Sequence, residues 1–174
     1  DSRIALAAGL AVAKTLAALA PGHSVQLKWP NDVWINGEKI CGILVEIPAV
    51  RSDAAIIGIG LNVNNSAVSL PDDVRGKATS LSDVMAKTFQ RTEVLIAVLQ
   101  NLEEQLQLLQ EQGDQLQNRW NAHCALSGRF VRIQCVGREI AGKCRGIDST
   151  GALLLSEGDS IQKVISGVVV EIRE

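Results

Sequence analysis

The sequence predicts an α+β fold in which a mixed β-sheet carries helices on one face and is followed by a small β-barrel. An Ala-rich apolar stretch without proline opens the chain, and Thr92 to Gln112 repeats Val and Leu at three- and four-residue intervals. Beyond Ser127-Gly128 the apolar pattern changes from helical spacing to alternation. A chain of 174 residues has room for one domain of ordinary size and a smaller one, since domains commonly run about 100 to 150 residues. The boundary is expected near Leu126, dividing residues 1–125 from 126–174.

Ser2 to Ala20 consists of strong helix formers, with Ile4, Leu6, Leu10, Val12, Leu16 and Leu19 spread over more than one face, as a helix packed on a sheet requires. Pro21-Gly22 ends it. Val25 to Trp29 alternates as a strand and Pro30 breaks it. Val33-Trp34-Ile35 then leads into Asn36-Gly37, the strongest short hairpin signal. The return strand is Lys39 to Ile47. Ala54 to Val63, nearly all aliphatic and Gly, reads as a strand covered on both faces.

A polar loop containing Pro71 follows, and then Ser80-Leu81-Ser82-Asp83, a capping-box-like helix start with Asp where Glu or Gln is usual. The helix over Thr92 to Gln112 is interrupted at Gly113 and resumes over Gln115 to His123. Five short strands complete the chain: Phe130 to Val136, Glu139 to Ile147, Ala152 to Ser156, Ile161 to Ile165 and Val168 to Ile172. Turn formers such as Asp148-Ser149-Thr150-Gly151 separate them, and this spacing predicts the barrel.

Composition excludes several classes of function. Lys and Arg number 17 against 19 Asp and Glu, for a formal charge of −2, and no cluster of positive charge suggests a nucleic-acid partner. Cys41, Cys124, Cys135 and Cys144 have neither zinc-site spacing nor the density of a disulfide scaffold, so reduced, mostly buried thiols in a cytoplasmic protein are expected. The run from Ile4 to Ala20 is interrupted by Lys14 and rich in Ala and Gly. It falls short of the roughly 20 strongly apolar residues of a membrane span, and no membrane partner is expected. His23 and His123 have no acid or nucleophile at a telling spacing, so a catalytic triad has no support. Trp29, Trp34 and Trp120 read as core or pocket walls.

The chemistry is concentrated between Lys28 and Asn64. Lys28, Asn31, Asp32 and Lys39 are the polar residues of the first hairpin. Lys39 opens an otherwise apolar strand, where it is either a solvated lysine or a point charge at the mouth of a pocket, able to stabilise a carboxylate and the charge that grows as it attacks a phosphate. Gly58 and Gly60 interrupt an aliphatic strand at a cost in stability, which points either to a close approach by ligand or to tight packing on the first helix. Asn62 adds an amide able to read a base edge or a phosphate. The Gly-x-Gly is no dinucleotide fingerprint, because it lies inside a strand and lacks the third Gly and the following helix.

Taken together, Lys28-Trp29-Pro30-Asn31-Asp32, Lys39 with Gly42-Ile43-Leu44-Val45-Glu46, and Gly58-Ile59-Gly60-Leu61-Asn62 resemble the catalytic domain of the biotin protein ligases. Arg145-Gly146-Ile147-Asp148 with Gly151-Ala152-Leu153-Leu154-Leu155 looks like the family's C-terminal domain. The resemblance implies a catalytic domain like that of class II aminoacyl-tRNA synthetases over 1–125, incomplete here, and an SH3-like barrel over 126–174. It implies that Lys39 acts in catalysis, that Lys39, Gly42, Ile43 and Leu44 bind biotin, and that Asn31, Asp32, Lys39, Gly60 and Asn62 bind ATP. No fixed metal site is implied beyond Mg²⁺ carried with ATP near Asn31, Asp32 and Asn62. The implied reaction forms biotinyl-5′-AMP from biotin and ATP and transfers biotin to a lysine of the carrier domain of a carboxylase.

The chain begins at Asp1 on a helix, without an initiator Met, and is expected to be a piece of a longer protein. The family's Gly-Arg-Gly-Arg-type biotin and phosphate loop would precede Asp1, so adenylation by these 174 residues is expected to be impaired. Two other readings stand beside the ligase: a catalytically incomplete binding or assembly module of the same fold, and a lipoate or octanoyl transferase relative. The aliphatic strand Ala54 to Val63 is suited to a homodimer joined through sheet edges.

Overall fold

The computed structural model describes residues 2–51, 53–66 and 76–173; the expected loop at Pro71 lies outside them. Helix α1 (Ser2–Leu19) is followed by β1 (Val25–Lys28), β2 (Asp32–Ile35), β3 (Glu38–Glu46) and β4 (Ile56–Leu61). These pair in the order β1-β2-β3-β4. Every pairing within this sheet is antiparallel, not mixed as expected, because each connection among the described strands is a short turn or loop and none is a helical crossover. Asn36 and Gly37 take φ values of 51° and 86°, the left-handed pair that a tight hairpin requires.

Helices α2 (Leu81–Met85), α3 (Arg91–Glu111) and α4 (Gly113–Asn121) follow. Ser80 caps α2, its hydroxyl accepting from the Asp83 amide at 3.2 Å. Helices α1 and α3 lie on one face of the sheet. Leu6, Leu10, Val12 and Leu16 of α1 are buried with Leu27, Val33, Ile43 and, from α3, Val94 and Val98. Gly9 brings α1 close, since a methyl there would sit 3.3 Å from Leu27. Thr15, also buried, donates to the Ala11 carbonyl and accepts from Asn101 at 2.9 Å, which ties α1 to α3. No helix among the described residues is long and apolar enough to cross a membrane.

Strand β4 is covered on one face only, contrary to the two-sided burial expected of it. Ile57, Ile59 and Leu61 pack toward the helices, while Ile56, Gly58 and Gly60 are exposed. Alternation of aliphatic residues with glycine looks continuous in sequence and is one-sided in space.

Strands β5 (Phe130–Cys135), β6 (Arg138–Ile147), β7 (Leu153–Glu157), β8 (Ser160–Val164) and β9 (Val168–Arg173) form a second antiparallel sheet in the order β8-β7-β6-β5-β9. With β8 and β9 as its two edges, the expected barrel is not closed by hydrogen bonds. Gly167, at φ 154°, carries the chain from one edge to the other hard against β5; a methyl there would fall 2.6 Å from Ile133.

A backbone segment and two side chains lead from the first unit into the second. The 123–125 segment runs along β1, with the Leu27 amide donating to the His123 carbonyl at 2.7 Å and the Ala125 amide donating to the Leu27 carbonyl at 2.8 Å. Asn121 donates to the Ile147 carbonyl at 3.1 Å and accepts from the Ile147 amide at 2.8 Å. The buried Trp29 indole donates to the Gly151 carbonyl at 3.2 Å. Asp148 shapes the turn that presents this carbonyl, accepting from Thr150, Ala152 and Lys163. Burial pushes its carboxyl up, but the hydrogen bonds from Lys163, Thr150 and Ala152 outweigh that and hold it at about 2.

Two outcomes are expected. Asn121→Ala strands both backbone groups of the buried Ile147 and should lower stability by about 1 to 3 kcal/mol, measurable by urea denaturation. Because the Asp148 carboxyl is depressed below its unfolded range near about 4, its contribution is fully present above that range. It is lost as pH falls through about 2. Denaturation at successive pH values should therefore show the stability gap between wild type and Asp148→Asn narrowing over this interval.

Candidate active site

Residues opposed across an antiparallel pair place their side chains on the same face. Lys28 is opposite Asp32 and Gln26 opposite Trp34; Trp34 is opposite Lys39 and Asp32 opposite Gly42; Gly42 is opposite Gly60 and Leu44 opposite Gly58. A register shift between Val33 and Trp34 brings Trp34 beside Lys39. The sheet face turned away from α1 is thus charged over β1 and β2. Over the middle of β3 and β4 it carries only Leu44 among glycines.

The glycines have different reasons. Gly58 and Gly60 have ordinary negative-φ backbones, and a methyl on either would meet only the Leu44 or Gly42 backbone and Leu44 Cβ, at 3.6 to 3.8 Å. Those are ordinary contacts, and neither glycine faces α1, so tight packing on the helix does not explain them. A side chain there would remove only the open space above the strands. Gly42 serves the lysine. A methyl on it would lie 3.4 Å from both Cε and Nζ of Lys39, and in its absence the Lys39 side chain crosses β3 to reach Asp32 Oδ1 at 2.6 Å.

Asp32 is 17% exposed and Lys39 45%. A partly solvated pair contributes about 0 to 1 kcal/mol, too little for stability to account for it. Lys28 lies 4.7 Å from the centre of the Trp34 ring. Burial lowers the pKa of its ammonium, Asp32 raises it and Lys39 lowers it further. Beneath this face, burial pushes the Cys41 thiol up to about 12, which makes it a neutral packing group. All four cysteines are free.

The remaining expected residues brace the face. Asn31 donates to the Ile43 carbonyl at 2.7 Å and accepts from the Ile43 amide at 2.9 Å, locking the turn after Pro30 onto β3. The Ile43 side chain itself is buried in the core. Asn62, just past β4, donates through its side chain to the Thr79 carbonyl at 3.0 Å. The 77–79 segment also lies along Lys39, whose amide donates to the Lys77 carbonyl and whose carbonyl accepts from Thr79, both at 2.9 Å.

Two cavities flank the site. One of about 470 Å³ lies among Trp29, Pro30, Asn31, Leu44 and Ile47 and is closed by Gly151, Ile165 and Ser166 of the second unit. The other, of about 360 Å³, is lined by Lys28, Asp32, Trp34, Gly37, Lys39, Gly76 and Lys77. Sequence reasoning gave no role to Lys77 or to the second unit's turn at Gly151. Lys77 follows the polar loop without any periodic signal, and only the backbone bonds to Lys39 bring it here.

Residues 2–64 match the biotin/lipoate A/B protein ligase family model, and residues 126–170 match the biotin protein ligase C-terminal domain. The chain is 34% identical over 167 residues to the bifunctional ligase/repressor BirA of Bacillus spizizenii, covering 94% of this chain and 51% of that protein. It is 35% identical over 173 residues to the biotin–[acetyl-CoA-carboxylase] ligase of Mycobacterium tuberculosis, covering 98% of this chain and 62% of that protein. The chain therefore spans about half to three fifths of the length of these relatives. It superposes on the biotin protein ligase of Aquifex aeolicus, solved with biotin and ATP, with a TM-score of 0.85 at 29% identity, covering 99% of this chain and 71% of that one. With both domain models matched in order and the fold shared along nearly its whole length, the chain belongs to the biotin protein ligase family.

Proposed function

We propose that the open sheet face holds biotin and ATP and supports biotin–carrier-protein ligation. The observation that carries this reading is the glycine surface beside the Lys39–Asp32 pair, bare for reasons that neither backbone nor packing supplies. The body of biotin lies over Leu44, Gly58 and Gly60, and the nucleotide is bordered by Gly60, Asn62 and Asn31. The biotin carboxylate attacks the α-phosphorus to give biotinyl-5′-AMP and pyrophosphate. A lysine of a carboxylase carrier domain then attacks the acyl carbonyl and releases AMP.

Lys39 screens the negative charges that converge as carboxylate meets phosphate, and Asp32 holds the ammonium in place across Gly42. Asp32 also fits Mg²⁺ as that ion is usually bound, through one or two carboxylates and the substrate phosphates; bound there, Mg²⁺ would neutralise phosphate charge. In these 174 residues Leu44 is 59% exposed. Among the described residues the face is therefore open over Leu44, and we take adenylation by them alone to be weak. Two copies would pair along the free edge of β4, in a cytoplasmic setting that suits the free thiols.

Calorimetric titration with biotin tests the reading. The chain should bind biotin, and Gly60→Ala should weaken binding at least about tenfold while changing stability by no more than about 1 kcal/mol. A chain that gives no heat with biotin would sink it. In an assay of pyrophosphate release from biotin and ATP, Lys39→Ala should slow the reaction about 10²- to 10³-fold; a wild-type rate would remove Lys39 from catalysis.

A further inference from the structure

Asn62 is bonded to three elements at once. Its side-chain amide donates to the Thr79 carbonyl at 3.0 Å, its backbone N–H donates to the Ile40 carbonyl at 2.9 Å, and its carbonyl accepts from the Leu81 amide at 3.0 Å. Strand β3, the 77–79 segment and the start of α2 therefore meet at one residue.

Thr79 is bonded in turn to Lys39. Its amide donates to the Lys39 carbonyl, and the Lys39 amide donates to the Lys77 carbonyl, so the 77–79 segment holds both backbone groups of the lysine. On its other side Lys39 faces β2 next to the register shift between Val33 and Trp34, where a ladder is locally disrupted. Beside that irregularity, the bonds to the 77–79 segment fix the lysine's backbone.

Anchoring α2 does not require the Asn62 side chain. Leu81 is fully buried and Ser80 caps the helix, which holds the chain from residue 80 onward. The Asn62 amide acts just upstream, on the carbonyl of the residue whose N–H grips Lys39. A shift there moves the Lys39 backbone, and with it the ammonium that crosses Gly42 to Asp32 at 2.6 Å.

We propose that Asn62 is a positioning residue for Lys39, acting through Thr79 to keep the ammonium on Asp32; the consequence for catalysis rests on the adenylating role proposed above. Asn62 needs no contact with the reacting atoms to do this. Its effect on the rate passes through the lysine.

Competitive acetylation of the 174-residue chain, read lysine by lysine by mass spectrometry, tests the link without any substrate. Asn62→Asp is isosteric and sets an acceptor against the Thr79 carbonyl. It should speed labelling of Lys39 about threefold, the scale of a partly solvated ion pair, and as far as Asp32→Asn does. Lys143, an exposed lysine on β6, should be unchanged. Lys39 labelling equal to wild type overturns the link. Where the variant labels faster at every lysine, native-state hydrogen exchange of wild type decides: the Lys39 and Thr79 amides should open together, and a Lys39 amide still protected after Thr79 has exchanged overturns the proposal.

With biotin and ATP saturating, Asn62→Asp should slow pyrophosphate release about tenfold. Added to Lys39→Ala it should cost less than about twofold more, because two changes that act through one lysine are not additive; losses that multiply overturn the positioning role. Faster labelling of Lys39 in a chain that releases no pyrophosphate leaves the link standing and tells against the ligase reading.

Discussion

The contact on which the site depends is the crossing of the Lys39 side chain over Gly42 to Asp32. The lysine and the carboxylate belong to adjacent strands and are not opposite one another; Asp32 is opposite Gly42 and Lys39 is opposite Trp34. At their 2.6 Å approach the lysine passes directly over Gly42, where a methyl would already touch its Cε and Nζ at 3.4 Å. The approach requires the register shift after Val33, since in-phase pairing would turn one of the two residues into the core. Hairpin geometry, bulge and glycine together make one charged pair on an otherwise open surface.

What surrounds this pair is organised by backbone more than by side chains. Asn31 and Asn62 spend their amide N–H groups on the Ile43 and Thr79 carbonyls. These bonds fix the turn on one side of β3 and the 77–79 segment on the other. The second unit adds a further support, because the Trp29 indole reaches the Gly151 carbonyl and brings the turn shaped by Asp148 to the rim of the apolar cavity. The C-terminal sheet is thereby a wall of that cavity as well as a separate fold unit.

Stability and function are divided between the two faces of the first sheet. The face toward α1 and α3 buries Leu27, Val33, Ile35 and Ile43 almost completely and Ile57, Ile59 and Leu61 in part, and full burial of such side chains contributes about 1.5 to 3 kcal/mol each. The opposite face gives up that gain at Gly58 and Gly60 and accepts the partial desolvation of Lys28. A sheet that sacrificed burial on both faces would not hold together. The dense helical cover on one side is what allows the other to remain bare.

By itself the sequence determined the helices, the Asn36-Gly37 hairpin and the five C-terminal strands, and it singled out the central residues of the candidate site. Each of these rests on short-range information: periodicity, turn chemistry and motif spacing. Lys28, Asp32, Lys39 and Gly60 are recognisable from their immediate neighbours. Only the tertiary structure decided that β4 is bare on one side and that its sheet is wholly antiparallel. It likewise showed that the C-terminal sheet does not pair β8 with β9, and that Lys77 and Gly151 lie beside the candidate site. These depend on pairing register and on contacts between residues far apart in the chain, such as Lys39 with Lys77 and Trp29 with Gly151. An aliphatic–glycine alternation reads the same whether the glycines meet a helix or open space, and only the packed fold distinguishes the two.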